Sequence, residues 1–321
     1  MPYARICFLS SFSLLILVHL IFNFLIYTLW ISRCIATTRE RIPGSIDNYV
    51  TGVSECSQQR GNLKDDGYKT LNENTVQKIT LITGGSRGIG RATAFYLAEK
   101  GHHICIGYHS NQDQEVIEII HNIGGKAIAI QVDVADEKQV VELFQRIDAE
   151  LGCITGLVNN AGILKSQASI EQLTAHRLHD IFATNVIGSF LCAREAVKRM
   201  SFRHGGHGGS IVNVSSAASR LGSPHEYIDY AASKGAIDTL TIGLSLEVAD
   251  QGIRVNAVRP GFIYTDMHAD GGEPNRVDRV KNSLPMKRGG QPKEVAQAIA
   301  WLLSDEASYV TGNFIDLAGG K

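Results

Sequence analysis

The residues best suited to proton chemistry are Tyr230 and Lys234, in Tyr230-Ala-Ala-Ser-Lys234. On a helix, positions i and i+4 share a face, with Cβ atoms ~6 Å apart. A free phenol has a pKa of ~10 and is a poor proton carrier at neutral pH. An ammonium at ~4 Å favours the phenolate by ~4 kcal/mol at an effective dielectric of ~20. That is about three pH units at ~1.36 kcal/mol each. Burial opposes it, so the expectation is a smaller net lowering that suits general acid–base work. A bare tyrosine–lysine pair is also an ordinary surface feature, and its weight here comes from its company. Ile211-Val-Asn-Val-Ser-Ser216 reads as a strand ending in hydroxyls. Ser216 at such a strand end can hold an oxygen beside Tyr230, while Ser215 and Ser216 can equally cap the next segment. Asn185 lies in a helical stretch, where asparagine is not favoured. It can bond a backbone group, or hold a water that relays protons to Lys234.

A second group of residues suits a phosphate-bearing ligand. Thr83-Gly-Gly-Ser-Arg-Gly-Ile-Gly90 follows an apolar strand and opens a helix. Glycines there allow a tight turn and close backbone approach, and the helix N-terminus offers free N–H groups to a pyrophosphate. Gly84, Gly88 and Gly90 follow TGxxxGxG spacing rather than GxGxxG. The context is that of a dinucleotide site. With NAD, an acidic residue at the end of the second strand is expected to hold the ribose 2′-hydroxyl. This strand ends Gly107-Tyr-His-Ser-Asn111, without an acid. Arg87, helped by His109 and Ser110, can instead meet a 2′-phosphate, which a guanidinium binds bidentately. Arg87 also reads as a solvated surface residue, but the pattern favours NADP over NAD. Asn159-Asn-Ala-Gly162 ends the fourth strand, and its small residues let backbone approach the cofactor.

These motifs need a scaffold, and the chain from Val76 to Lys321 supplies an alternation of strands and helices. Strands are expected at Ile79–Thr83, His103–Tyr108, Ala127–Val132, Gly156–Asn159, Ser210–Val214, Arg254–Val258 and Phe314–Leu317. Helices are expected at Gly88–Lys100, Gln112–Ile123, Glu137–Leu151, Asp180–Met200 and Ile228–Asp250. This predicts an α/β fold: a doubly wound parallel sheet with helices on both faces, in one domain over 76–321. Residues 42–75 are polar and aperiodic and read as a linker. Residues 1–41 hold a run between Arg5 and Arg33 without a charged side chain. That run is long enough to span a ~30 Å hydrocarbon core. The excess of Arg33, Arg39 and Arg41 over Arg5 then puts the catalytic part in the cytoplasm. The other reading is a segment outside the working protein, removed by processing or added by an upstream start.

Composition excludes some classes. The net charge of −1 over 321 residues leaves no basic excess for nucleic acid. Six scattered cysteines without a CxxC pair read as free thiols in a reducing compartment. His204 and His207 stand in a glycine-rich loop without further ligands nearby, so no metal is expected.

Taken together, TGGSRGIG, NNAG, the helical Asn185, the strand-end Ser216, YAASK and Arg259-Pro-Gly261 resemble the short-chain dehydrogenase/reductase family throughout 76–321. The resemblance implies that Ser216, Tyr230 and Lys234 carry a carbonyl–alcohol interconversion, with Asn185 completing a proton relay. It implies cofactor contacts from Gly84, Ser86, Arg87, Gly88, Ile89 and Gly90 in the turn, and from His109. It implies others from Asp133 and Val134 near the adenine, and from Asn160, Ala161 and Gly162. Tyr230 and Lys234 would also touch the nicotinamide half, as would Pro260, Gly261, Ile263 and Thr265. A homotetramer built partly on the long central helices is expected as well.

Phe262–Gln291 is polar, with Gly271-Gly272, and reads as a mobile lid. Its few large apolar residues favour a small polar carbonyl, a sugar or a short acyl compound. Within the family, the sequence looks closest to sugar dehydrogenases and 3-oxoacyl-[acyl-carrier-protein] reductases. The alternatives from other classes are a non-catalytic NADP-binding regulatory protein and a membrane-associated scaffold.

Overall fold

The computed structural model describes residues 76–110 and 114–321. The expected hydrophobic segment and linker, 1–75, lie outside these residues. Among the described residues, no helix is long and apolar enough to cross a membrane.

Seven strands form one sheet: β1 Ile79–Thr83, β2 His103–Tyr108, β3 Ala127–Gln131, β4 Gly156–Asn159, β5 Gly209–Val214, β6 Ile253–Pro260 and β7 Phe314–Leu317. Their order is β3-β2-β1-β4-β5-β6-β7, and every neighbouring pair is parallel. The order reverses between β1 and β4, which opens a crevice above their carboxyl ends.

Successive strand residues point to opposite faces, and β1 shows the consequence. Ile82 packs into a core with Leu97 of α1 (Gly88–Glu99), Ile120 of α2 (Gln114–Asn122) and Ile299 of α10 (Pro292–Leu303). Leu81 packs on the other face with Phe144 of α3 (Glu137–Glu150) and Met200 of α5 (Gly188–Met200). α4 (Ala175–Phe182), the short α6 (Ala218–Leu221) and the long α7 (Ile228–Val248) complete the layers around the site. The lid carries two short helices, α8 (Met267–Asp270) and α9 (Arg276–Val280).

Local chemistry sets the boundaries. Asp136 caps α3 by accepting the amides of Lys138 and Gln139. Gln291 and Glu294 form a capping box for α10, with Pro292 at its start. The single helix expected over Asp180–Met200 differs in the structure. It begins at Ala175, and Ala183–Ile187 is a π-helical turn between α4 and α5. Such a turn inserts extra backbone and often marks a functional position; here it contains Asn185.

Candidate active site

The carboxyl ends of β1, β4, β5 and β6 end at Thr83, Asn159, Val214 and Pro260, and the site lies over them. A cavity of about 140 Å³ is lined by Ile89, Asn160, Ser216, Tyr230, Lys234, Pro260, Gly261, Ile263 and Thr265. Residues singled out in separate motifs thus converge on one space. The lid and adjoining loops add Leu164, Leu221, Tyr227, Met267, His268 and Arg276 to its walls.

Tyr230 and Lys234 sit in the first two turns of α7, with the Lys234 ammonium 5.6 Å from the phenol ring centroid. The ammonium donates to the Val214 carbonyl at 2.8 Å. The expected lowering of the phenol pKa is not what this arrangement produces. Burial pushes Tyr230 up to about 12, opposed by a hydrogen bond with Ser216. Burial likewise pushes Lys234 down to about 8, opposed by Asp238. Both groups are desolvated together, and that outweighs an ammonium aimed at a carbonyl rather than at the phenol oxygen. The phenol is therefore protonated at neutral pH, in the form that can give a proton away.

The two serines separate by their partners. Ser215 donates to Asp238 at 2.7 Å. Ser216 reaches Tyr230, and its oxygen also accepts the Ala218 amide at 3.1 Å. Asp238 is held in turn by Arg259 at 2.9 Å, so one carboxylate braces β6, β5 and α7 behind the site.

Asn185 is fully buried. Its Oδ1 accepts the Ile163 amide at 2.7 Å, and its Nδ2 donates to the Ile163 carbonyl at 3.1 Å and to Ser233 at 3.1 Å. The side chain thus bonds backbone, one of the two roles open from sequence, and pins the strand end carrying Gly162. A Cβ on Gly162 would fill the space 3.4 Å from Asn185 Oδ1 and 3.7 Å from Lys234 Nζ. At the opposite wall, Gly88 has φ +54°, and a Cβ there would come 3.3 Å from Thr265. A side chain at either position would crowd these neighbours, so both keep the backbone of the crevice wall close to the residues that face it.

Other residues expected at a cofactor are occupied differently. The Asn160 amide donates to the carbonyls of Thr83 and Gly84 at 2.9 Å each, propping the turn from beneath. Thr83 Oγ1 accepts the amides of Asn160 and Ala161 at 3.0 Å each. Asp133 accepts the Ala135 amide at 2.9 Å, and Val134 is buried in the core, so only its backbone can face a ligand. His109 is exposed just past the end of β2. Arg87 is paired across the crevice with Asp270 of the lid, a contact absent from the sequence reading.

Two clusters escaped the sequence reading. Arg177 of α4 holds the fully buried Asp229 carboxylate at 2.6 Å, one residue before Tyr230, and donates to the Ser166 carbonyl at 2.7 Å. A carboxylate beside the key tyrosine was a visible signal; its partner, 52 residues away, was not. In the lid, Arg276 and Arg279 share the carboxylates of Glu226 and Glu273.

Comparison with known proteins places this geometry. The model of a family described as enoyl-(acyl carrier protein) reductase matches residues 84–321. A protein of Escherichia coli K12, uncharacterized oxidoreductase YgfF, is 66% identical over 245 residues, which is 76% of this chain and 99% of that protein. Glucose 1-dehydrogenase 2 of Bacillus subtilis is 35% identical over 255 residues, 79% of this chain and 96% of that one. The 3-oxoacyl-[acyl-carrier-protein] reductase FabG of Staphylococcus epidermidis is also 35% identical, over 247 residues, 76% of this chain and 99% of that one. Among solved structures, a Serratia marcescens short-chain dehydrogenase/reductase carrying two phenylalanine-to-leucine substitutions superposes with a TM-score of 0.70 at 32% identity, covering 76% of this chain and 97% of that one.

Proposed function

Because the chain belongs to the short-chain dehydrogenase/reductase family and is an oxidoreductase, we propose that it interconverts a carbonyl and a secondary alcohol using NADP, with Tyr230 as general acid and base. The observation that carries this reading is the convergence of Tyr230, Ser216 and Lys234 on one cavity beside Thr265 and the glycine turn. Gly84, Ser86–Gly90, Gly162, Pro260–Gly261, Ile263 and Thr265 would hold the dinucleotide, with Arg87 and His109 toward its 2′-phosphate. When bound, the nicotinamide supplies or accepts the hydride.

The chain's own residues handle the proton and the oxygen. In reduction, Tyr230 donates its hydroxyl proton to the oxygen, which Ser216 holds by a hydrogen bond. In oxidation, the phenolate takes the proton back. Lys234 places a cation beneath the ring and is fixed by the Val214 carbonyl. Asn185 holds the Gly162 strand end so that the dinucleotide meets backbone there. The substrate is a small polar carbonyl, a sugar or a short acyl compound. The equal 35% identity to a glucose dehydrogenase and to a 3-oxoacyl reductase fits that range.

We assign the exposed apolar residues Ile187 and Phe190 around the start of α5, with Ile242 and Leu246 of α7, to subunit contacts of a homotetramer. The catalytic unit is 76–321, preceded by the hydrophobic segment 1–41, which is long enough for a membrane anchor, and the polar linker 42–75. The deciding experiment is Tyr230→Phe. It should reduce turnover of any accepted carbonyl at least ~10²-fold, the scale of general acid–base catalysis, with NADPH still bound. Retained turnover would remove Tyr230 from the mechanism.

A further inference from the structure

We propose that Arg177, acting through Asp229, is a positioning residue that sets where Tyr230 stands relative to the Leu164 wall of the cavity. This rests on the oxidoreductase reading above and adds to it a residue that works through others.

The helix that carries Tyr230 starts without the usual cap. α7 begins at Ile228, and the residue before it, Tyr227, makes no side-chain cap bond. The Tyr227 hydroxyl donates instead to the Gly271 carbonyl at 3.2 Å. The first amides of a helix have no carbonyl one turn back and need another acceptor. Asp229 supplies one, because its Oδ1 accepts the amide of Tyr230 itself at 2.9 Å. A negative charge is also favoured at a helix N-terminus. The carboxylate is fully buried, and a buried charge without a partner is costly. Arg177 of α4 is that partner, with Nε 2.6 Å from Oδ2 and Nη2 3.4 Å from Oδ1. This two-pronged contact fixes the carboxylate so that Oδ1 stays on the Tyr230 amide. Stability alone does not call for it, since apolar groups of similar size often serve a core as well as a buried ion pair.

The remaining prong of the guanidinium reaches the cavity wall. Nη1 donates to the Ser166 carbonyl at 2.7 Å. Ser166 belongs to the segment after β4 whose Leu164 lines the cavity. The same segment seats the lid. A Cβ on Gly271 would come 2.7 Å from Leu164, so the lid backbone lies directly on that side chain. Gln167 donates to Glu273 at 2.9 Å, and the Ala168 amide donates to the Glu226 carbonyl at 3.1 Å. One guanidinium thus spans the wall that bears Leu164 and the helix start that bears Tyr230. Reacting groups must be held to within ~0.5 Å, and a displacement of ~1 Å can cost ~10²-fold in rate. The planar fork of arginine holds both sides at once, which the single ammonium of lysine does not.

The test uses the full chain, NADPH and three carbonyls, diacetyl, glyceraldehyde and ethyl acetoacetate, the fastest of which is carried forward. The readout is the single-turnover rate of NADPH oxidation per bound NADPH, so that misfolded protein does not count, beside the dissociation constant for NADPH. Arg177→Met combined with Asp229→Asn removes both charges and keeps an amide oxygen for the Tyr230 amide, so it folds even where Arg177→Met alone does not. It should be slower than wild type by about 10- to 100-fold, with NADPH affinity unchanged. Arg177→Lys, which can reach Asp229 or Ser166 but not both, should recover only part of that rate. A double variant as fast as wild type would overturn the inference, because the pair would then serve folding alone. Full rate in Arg177→Lys would overturn it too, since a charge without the span would suffice. So would a loss of NADPH affinity that matches the loss of rate, which would put the damage in the cofactor cleft. Turnover of none of the three carbonyls, or turnover unaffected by Tyr230→Phe, would instead strike the oxidoreductase reading on which the inference rests.

Discussion

Arg87→Ala should abolish discrimination between NADPH and NADH, and Asp270→Asn should sharpen it. The two side chains pair across the crevice, and each is about half exposed, at 52% and 42%. An exposed pair of this kind contributes only ~0–1 kcal/mol. A charge-assisted bond from the same guanidinium to a phosphate contributes ~1.5–3 kcal/mol. A 2′-phosphate should therefore displace Asp270 with a net gain of about 1–2 kcal/mol, or about 5- to 30-fold at ~1.4 kcal/mol per tenfold. Arg87→Ala should erase that factor from the ratio of dissociation constants. Asp270→Asn, which frees the guanidinium beforehand, should tighten NADPH by up to about 5-fold and leave NADH unchanged. Fluorescence titration of both cofactors at fixed ionic strength measures each constant without turnover. An Arg87→Ala variant that keeps the wild-type ratio would refute the assignment of Arg87 to the 2′-phosphate. Equal tightening of both cofactors by Asp270→Asn would refute the competition.

The remaining expectations concern the buried charges. Arg177→Met strands the fully buried Asp229 carboxylate and should cost about 3–5 kcal/mol in denaturant unfolding. Arg177→Met with Asp229→Asn should recover most of it, and a single-variant loss below about 1 kcal/mol would contradict the pairing. With Tyr230 pushed up to about 12, alcohol oxidation, which needs the phenolate, should climb with pH through the alkaline range. Reduction, which uses the protonated phenol, should stay level across neutral pH; an oxidation plateau beginning below pH 8 would disagree. His102 is buried against Thr80 at 2.8 Å, and burial lowers its pKa from 6.5 to about 4. The unfolded chain then binds the proton that the folded chain refuses. Stability should be full above pH 6.5 and fall by about 3 kcal/mol on acidification to pH 4, at ~1.36 kcal/mol per unit. His102→Asn should flatten that fall, and an unchanged acid profile would show that His102 is not its source.

The legibility of this chain tracked how local each feature is. The spans of β1, β2, β4 and β7 could be read directly, because short, mainly apolar runs bounded by turns need no distant partner to mark a strand. Tyr230 and Lys234 were legible because a helix fixes the relation of i to i+4. The glycine turn was legible because its strand and helix flank it in sequence. The π-helical turn at Asn185 was not, because the side-chain bonds to Ile163 that hold it reach back 22 residues.

The sequence by itself thus determined the doubly wound fold, the family and the group of residues at the mouth of the sheet. Only the tertiary structure decided what those residues are able to do. It turned Ser215 toward Asp238 and Ser216 toward Tyr230, reversed the expected direction of the phenol pKa, paired Arg87 with Asp270 and neutralised Arg276. The reason is that a pKa, a free charge or an unmet hydrogen bond belongs to an environment, and each environment here is assembled from segments tens to hundreds of residues apart.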